Sequence, residues 1–295
     1  MKNNNQSRQK KTTACCTTTI ASAPGSVMLM GEHAVLHGYP AIVTAVDKRL
    51  QVKLTPIHSR KIEIISALGS ASLTLDDLII KAPFHFVGGV FSHFLPYLSH
   101  GFKVEIVSGF SHKVGLGSSA AVVVALTCAL RAALNNPFDH QLIFDDAYQI
   151  MRRVQTVGSG ADIAASVFGG VLFYVRNKPP ERFDGAPAIS LAYSGHKTPT
   201  VEVIATVEKN FENKRDSLTH IYQTMGALVE KAKRAFIKKD WQSLGRFCTL
   251  QQTAMQQLGV ATPALDQLVA DFLKREGVYG AKISGSGLGD CAIAV

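Results

Sequence analysis

The sequence predicts an α+β protein of two domains, and three observations carry that reading. Its 295 residues are 46% hydrophobic and 18% charged, which is enough apolar content for substantial cores and too much for a disordered chain. Strand-like and helix-like segments follow one another in a mixed order, without the regular strand–helix alternation of a parallel sheet. The Pro-rich piece "RNKPPERFDGAP" interrupts that order and is the best candidate for a boundary. The expected division is a tail over residues 1–20, a first domain over 21–180 and a second over 181–295.

Taken along the chain, "MKNNNQSRQKKTTACCTTT" is polar, with four basic residues and no acidic ones, and lacks the apolar core of a secretory signal. It reads as a disordered basic tail. From Ile20 the pattern is a strand, a turn around "GEHAVLHGYP", then the strands "AIVTAV", "LQVKL" and "KIEIISA", all rich in Val, Ile and Leu. "FHFVGGVFSHFLPYL" reads as a helix with glycines in it, and "FKVEIVS" alternates as a strand does. A helix over Ser119 to Leu134 carries small residues on all sides, which predicts burial against a sheet. A second helix spans Asp139 to Val154, and "IAASVFGGVLFYV" reads as a short helix followed by a strand. Beyond the boundary, "AISLAY" and "VEVIATV" read as strands. Two or three helices follow between Asp216 and Glu276, before "GAKISGSGLGDCAIAV".

Several function classes are excluded by composition. The longest apolar run, Ala120 to Leu134, contains Arg131 and falls short of the ~18–20 residues a bilayer requires, so no membrane partner is expected. Five cysteines, odd in number and without paired C-x-x-C spacing, argue against a disulfide framework and a zinc site and favour the cytoplasm. Lys2, Arg8, Lys10 and Lys11 supply four of the nine net positive charges. The modest excess left over suits an anionic small molecule, and no nucleic-acid module is recognisable.

The chemistry concentrates in "VGLGSSAA", Val114 to Ala121, between a strand and the buried helix. A serine N-cap after a glycine turn explains part of it. A phosphate site is the other reading, because a helix start offers free N–H groups and partial positive charge, and glycine lets a ligand approach. Asp162, in "GSGADIAAS", reads either as a helix cap or as a carboxylate that orients a hydroxyl and takes its proton.

Three separated motifs, "APGSVMLMGEHAVLHG" (Ala23 to Gly38), "GLGSSAAVVVAL" (Gly115 to Leu126) and "GAKISGSGLGDCAIA" (Gly280 to Ala294), together resemble the signatures of the GHMP kinases. "GEHAVLHG" and "LQQTAMQQLGVATPALDQL" resemble the mevalonate kinase branch of that family. The resemblance implies an N-terminal domain of the ribosomal protein S5 domain 2 type, a ferredoxin-like C-terminal domain, a cleft between them, and ATP with Mg²⁺. It implies that the backbone of Gly115, Leu116, Gly117, Ser118, Ser119 and Ala120 cradles the ATP phosphates, supported by Gly285, Ser286, Gly287 and Gly289. It assigns Mg²⁺ to the Ser119 hydroxyl, catalysis to Asp162 and the position of Ser26, and the acceptor pocket to Glu32, His33 and Thr200. A homodimer is compatible with it. The third motif runs almost to the last residue, so the C-terminal domain reads as abbreviated or cut short.

Two positions depart from the family. The first motif usually carries lysine where this chain has Ser26, and a serine brings no fixed charge. Eleven residues before Asp162 a magnesium-binding glutamate is common, and here stands Met151, whose thioether suits so hard a cation poorly. Mg²⁺ is then left to Ser119, the phosphates, water and Asp162. The "GSG" before Asp162 and the "GDC" of Gly289-Asp290-Cys291 lean toward phosphomevalonate kinases, while "GEHAVLHG" favours mevalonate as acceptor. A third reading is a nucleotide-binding regulator that has lost catalysis.

Overall fold

The computed structural model describes residues 17–78, 81–111 and 114–295. Most of the expected tail, with Cys15 and Cys16, lies outside the described residues; Cys128, Cys248 and Cys291 are free thiols. No helix among the described residues is long and apolar enough to cross a membrane.

Among the described residues, seven strands form one sheet: β1 (Thr19–Met30), β2 (Ala41–Ile57), β3 (Lys61–Ser66), β4 (Gly69–Thr74), β5 (Gly101–Ser108), β6 (Val171–Tyr174) and β7 (Glu181–Arg182). Their spatial order is β4-β3-β5-β2-β6-β7, with β1 antiparallel to β2. β2 is the hub, since "AIVTAV" and "LQVKL" belong to a single 17-residue strand. The intervening Asp47, Lys48 and Arg49 remain extended because their side chains reach solvent. β4 escapes sequence reading because "GSASLT" has the composition of a turn.

The helices are α1 (His85–Phe94), α2 (Ser118–Ala133), α3 (His140–Gln155), α4 (Ala161–Phe168), α5 (Thr200–Asn210), α6 (Arg215–Lys238), α7 (Trp241–Gln257) and α8 (Pro263–Leu273). As its small residues predict, α2 buries Ala121, Ala125 and Ala129 within the core shared with the sheet, α1 and α3. A second sheet, ordered β8 (Ser190–Tyr193), β10 (Cys291–Ala294), β9 (Ala281–Ser284), is antiparallel, and α8 packs on it.

"VEVIATV" is helix, not strand. It forms most of α5, where Val203 and Val207, four residues apart, are buried. β-branched residues favour strands only weakly, and a helical stripe facing a core outweighs that preference. Pro199 sets the start of α5 at the residue preceding Thr200.

An apolar layer joins the two halves, with Val27, Leu29, Ile42 and Phe173 against Val229, Phe236, Leu244 and Ile293. Polar bonds fix its register. Ser284 Oγ donates to the Met28 carbonyl at 2.8 Å, and the fully buried Lys282 ammonium pairs with Glu32. Gln251 Nε2 donates to the second Glu32 oxygen. Lys282→Met should lower stability by about 3–5 kcal/mol, because it strands a buried carboxylate. Urea unfolding checks this, and adding Glu32→Leu should recover most of the loss.

Candidate active site

The end of β1, the start of α2, α3, the turn before α4, the loop before α5 and the β9–β10 loop open onto one cavity. Each arrives there for a local reason. α2 begins at Ser118 with Gly117 as its N-cap, in left-handed geometry (φ 62°), and no side chain caps it. The serine-cap reading therefore falls, and the first N–H groups of α2 have no side-chain acceptor. Gly117 has no substitute here, because a Cβ would overlap Ser26 Oγ as well as strain the backbone. Ser26 N in turn donates to the Leu116 carbonyl at 3.1 Å, tying the first motif to the second.

Asp162 is the second residue of α4, and Gly160 holds the cap position, so the cap reading fails for it too. Its Oδ1 accepts a hydrogen bond from Ser26 Oγ at 2.8 Å. Burial pushes the Asp162 pKa above the usual carboxylate range, against the pull of the Ser26 bond and the Lys197 charge. The serine at position 26 therefore touches the carboxylate directly.

The β9–β10 loop closes the cavity from the second half. The Ser286 carbonyl bonds His33 Nε2 at 2.8 Å, and burial holds the His33 pKa low, so neutral His33 donates through Nε2–H. Ser286 Oγ is buried without a hydrogen-bond partner. Asp290 presses its carboxylate against Gly115, where a Cβ would come within 3.1 Å of Oδ1. That oxygen is buried and accepts no hydrogen bond; Lys197 Nζ stands 3.9 Å away. Burial raises the Asp290 pKa, Lys197 lowers it, and the charge of Asp162 raises it further.

Most residues expected at the site meet here. Ser26, Gly115, Gly117, Ser118, Ser119 and Asp162 line the cavity from the first half, and Thr200, Gly285 and Ser286 from the second. Glu32 and His33 border it, but Glu32 gives both oxygens to Lys282 and Gln251. Other expected residues do not line the cavity: Leu116 belongs to the apolar layer between the halves, Ala120 to the core under α2, and Gly287 lies against Val260. Met151 lines the wall where the family glutamate is absent, beside Tyr148 and Arg152. Sequence reasoning missed Lys197. "GHKTPT" has turn composition and no periodicity, and only the fold brings it to the cavity. Asp290 was visible as a charge in a glycine loop but carried no assigned role.

Family profiles match in two places, described as the GHMP kinases N terminal domain over residues 85–170 and GHMP kinases C terminal over 232–295. A third, the galactokinase galactose-binding signature, matches residues 11–56, around the first motif. The mevalonate kinase of Pyrococcus furiosus is 32% identical over 300 residues, covering 94% of this chain and 88% of that protein. The crystal structure of Methanococcus jannaschii mevalonate kinase superposes with a TM-score of 0.79 at 26% identity, covering 95% of this chain and 91% of the other. Streptococcus pneumoniae phosphomevalonate kinase, solved with phosphomevalonate and AMPPNP, shares the fold with a TM-score of 0.78 at 18% identity, over 93% and 91% of the two chains. With glycine loops from both halves meeting at one cavity and this likeness running almost end to end, the chain belongs to the GHMP kinase family and is an ATP-dependent kinase.

Proposed function

We propose that this kinase transfers the γ-phosphoryl group of ATP to the hydroxyl of mevalonate, with Asp162 as the base. The observation that carries the reading is the part-buried Asp162–Ser26 pair at 2.8 Å, facing the same cavity as the uncapped start of α2. In the transfer, the acceptor oxygen forms a bond to the γ-phosphorus while the bond from that phosphorus to the β–γ bridging oxygen breaks. ADP leaves with that electron pair, and the hydroxyl proton passes to Asp162. The uncapped start of α2, with Gly285 and Ser286 lining the same cavity, supports the reading that their N–H groups hold the phosphates.

The donor set suits Mg²⁺. Among the described residues no cluster of three His, Cys, Asp or Glu side chains is arranged for a metal, which disfavours a dedicated cage. The Ser119 hydroxyl is a hard ligand at the uncapped start of α2. Mg²⁺ would be held there by Ser119 with the nucleotide phosphates and would neutralise phosphate charge.

For the acceptor, the cavity offers apolar wall from Met28, Val35, Leu36 and Ile204, the Thr200 hydroxyl, and two cations, Arg152 and Lys197. Among the described residues, Arg152 is the one of the two that no carboxylate within ion-pair distance faces, which suits it to one anionic group on the substrate, while Lys197 stands 3.9 Å from Asp290. Mevalonate has one such group and phosphomevalonate two. The second reading, transfer to the phosphate of 5-phosphomevalonate, keeps the support of the "GDC" in the third motif. The use of cysteine and the lack of a membrane-crossing helix among the described residues fit action in the cytoplasm.

Purified protein with ATP and Mg²⁺ should turn over mevalonate, followed by coupled release of ADP; turnover of phosphomevalonate alone would replace the first reading with the second. Asp162→Asn should leave ATP affinity by calorimetry nearly intact and lower kcat by about 10²–10⁴-fold, the range for loss of a positioned base. The base works deprotonated and its pKa is raised by burial, so kcat should fall with decreasing pH at a pH above the ordinary aspartate value of about 3.9. A pH–rate profile locates that limb, which Asp162→Asn should erase.

A further inference from the structure

Phosphoryl transfer to an alcohol builds negative charge between acceptor and phosphate, and an enzyme needs a cation aimed at that place. Ser26, at 2.8 Å from Asp162, supplies none. The loop between β8 and α5 brings one from the other half. Ser194 N donates to the Asp290 carbonyl at 2.9 Å, and Asp290 N returns a bond to the His196 carbonyl at 2.8 Å. Thr198 Oγ1 donates to the Leu288 carbonyl at 2.6 Å. These bonds flank Lys197 on both sides, so the backbone beneath it is fixed to the third glycine motif while its side chain enters the cavity.

The head of that side chain is held loosely. Lys197 Nζ lies 3.9 Å from Asp290 Oδ1, beyond hydrogen-bond length, and its side chain is 38% exposed against 9% for Asp290. The Asp290 oxygen accepts no other hydrogen bond. A compact ammonium on a four-carbon stem, attracted by a carboxylate but not seated on it, can advance toward new negative charge at little cost. Lys197 and Asp162 line the same cavity, and the ammonium favours the charged form of the carboxylate.

We propose that Lys197 is the cation of the transfer step, reaching the acceptor oxygen and the phosphoryl group from the second half of the chain, with Asp290 as the positioning residue that holds it in reserve. Lys197 keeps its proton throughout; it offsets charge while Asp162 takes the hydroxyl proton. The inference rests on the kinase reading and holds whether a hydroxyl or a phosphate oxygen accepts.

The test pairs kinetics with a probe that requires no turnover. Lys197→Ala should lower kcat by about 10²–10³-fold, the cost of removing one donor aimed at developing charge, with little change in KM for ATP or acceptor. Its affinity for ADP with aluminium fluoride and Mg²⁺, a mimic of the phosphoryl group in flight, should fall by a similar factor while affinity for ADP alone holds. Adding Ser26→Lys, which sets an ammonium beside Asp162 from the opposite wall, should restore part of kcat, as no purely structural role of Lys197 would allow. Asp290→Asn should lower kcat less than Lys197→Ala and lose most of its effect when Lys197 is already gone. Unchanged kcat in Lys197→Ala, or a rise in acceptor KM alone, overturns the proposal. If wild-type protein turns over neither acceptor, the proposed function fails by itself. The aluminium fluoride comparison then still decides for or against Lys197.

Discussion

The buried ion pair between Glu32 and Lys282 is the constraint on which the rest of this site depends. One partner follows β1 and the other lies on β9, so the pair joins the first motif to the strand that opens the third. Such a pair repays its desolvation only when the geometry is good and the spare lone pairs are used, which Gln251 does for Glu32. Its value lies in register. An apolar layer such as that around Leu29 and Phe236 would tolerate a slide between the halves, whereas a buried carboxylate without its cation would not. With the halves in register, His33 meets Ser286 and Ser284 meets Met28.

The same register explains why glycine is required on both sides of the cavity. Gly117 turns the chain so that α2 starts uncapped against Ser26, and Gly115 leaves the space that the Asp290 carboxylate fills. A helix start that lacks a side-chain cap is a cost in the empty protein and an asset once phosphate oxygens arrive, because the same N–H groups serve both. The cap question that the sequence raises at Ser118 and Ser119 is answered by neither serine. It is answered by leaving the donors free.

What could be read in advance follows from the range of the physics involved. The three motifs are local, since a glycine turn, a helix start and a buried small-residue helix are written in adjacent residues; Ser26 and Ser119 lie in them, Asp162 lies in its own glycine turn, and all three line the cavity. Helix boundaries in the first half came close for the same reason. "VEVIATV" failed because alternation and a four-residue stripe coincide over so short a span, and burial of Val203 and Val207 decided it. Glu32 was legible as a residue near the site but not as half of an ion pair, since its partner is 250 positions away. Lys197 was illegible for a related reason. Its role depends on two strands, β8 and β10, pairing so that a turn-like hexapeptide lies against a glycine loop.

The charges around the cavity form a balance that neither half could hold alone. Asp290 is buried and Asp162 part-buried, the charge of Asp162 pushes Asp290 toward its protonated form, and both line the cavity at the uncapped start of α2. Two carboxylates there would oppose nucleotide binding if nothing offset them. The Ser26 hydroxyl stabilises the charged form of Asp162 without adding charge, and Lys197 draws both carboxylates back toward ionisation. A lysine at position 26 would do the first of these more strongly but would fix its ammonium on Asp162 and leave Asp290 to repel the phosphates. Serine at 26 and a mobile lysine at 197 therefore belong together: one keeps the base poised, and the other leaves its charge free to follow the phosphoryl group.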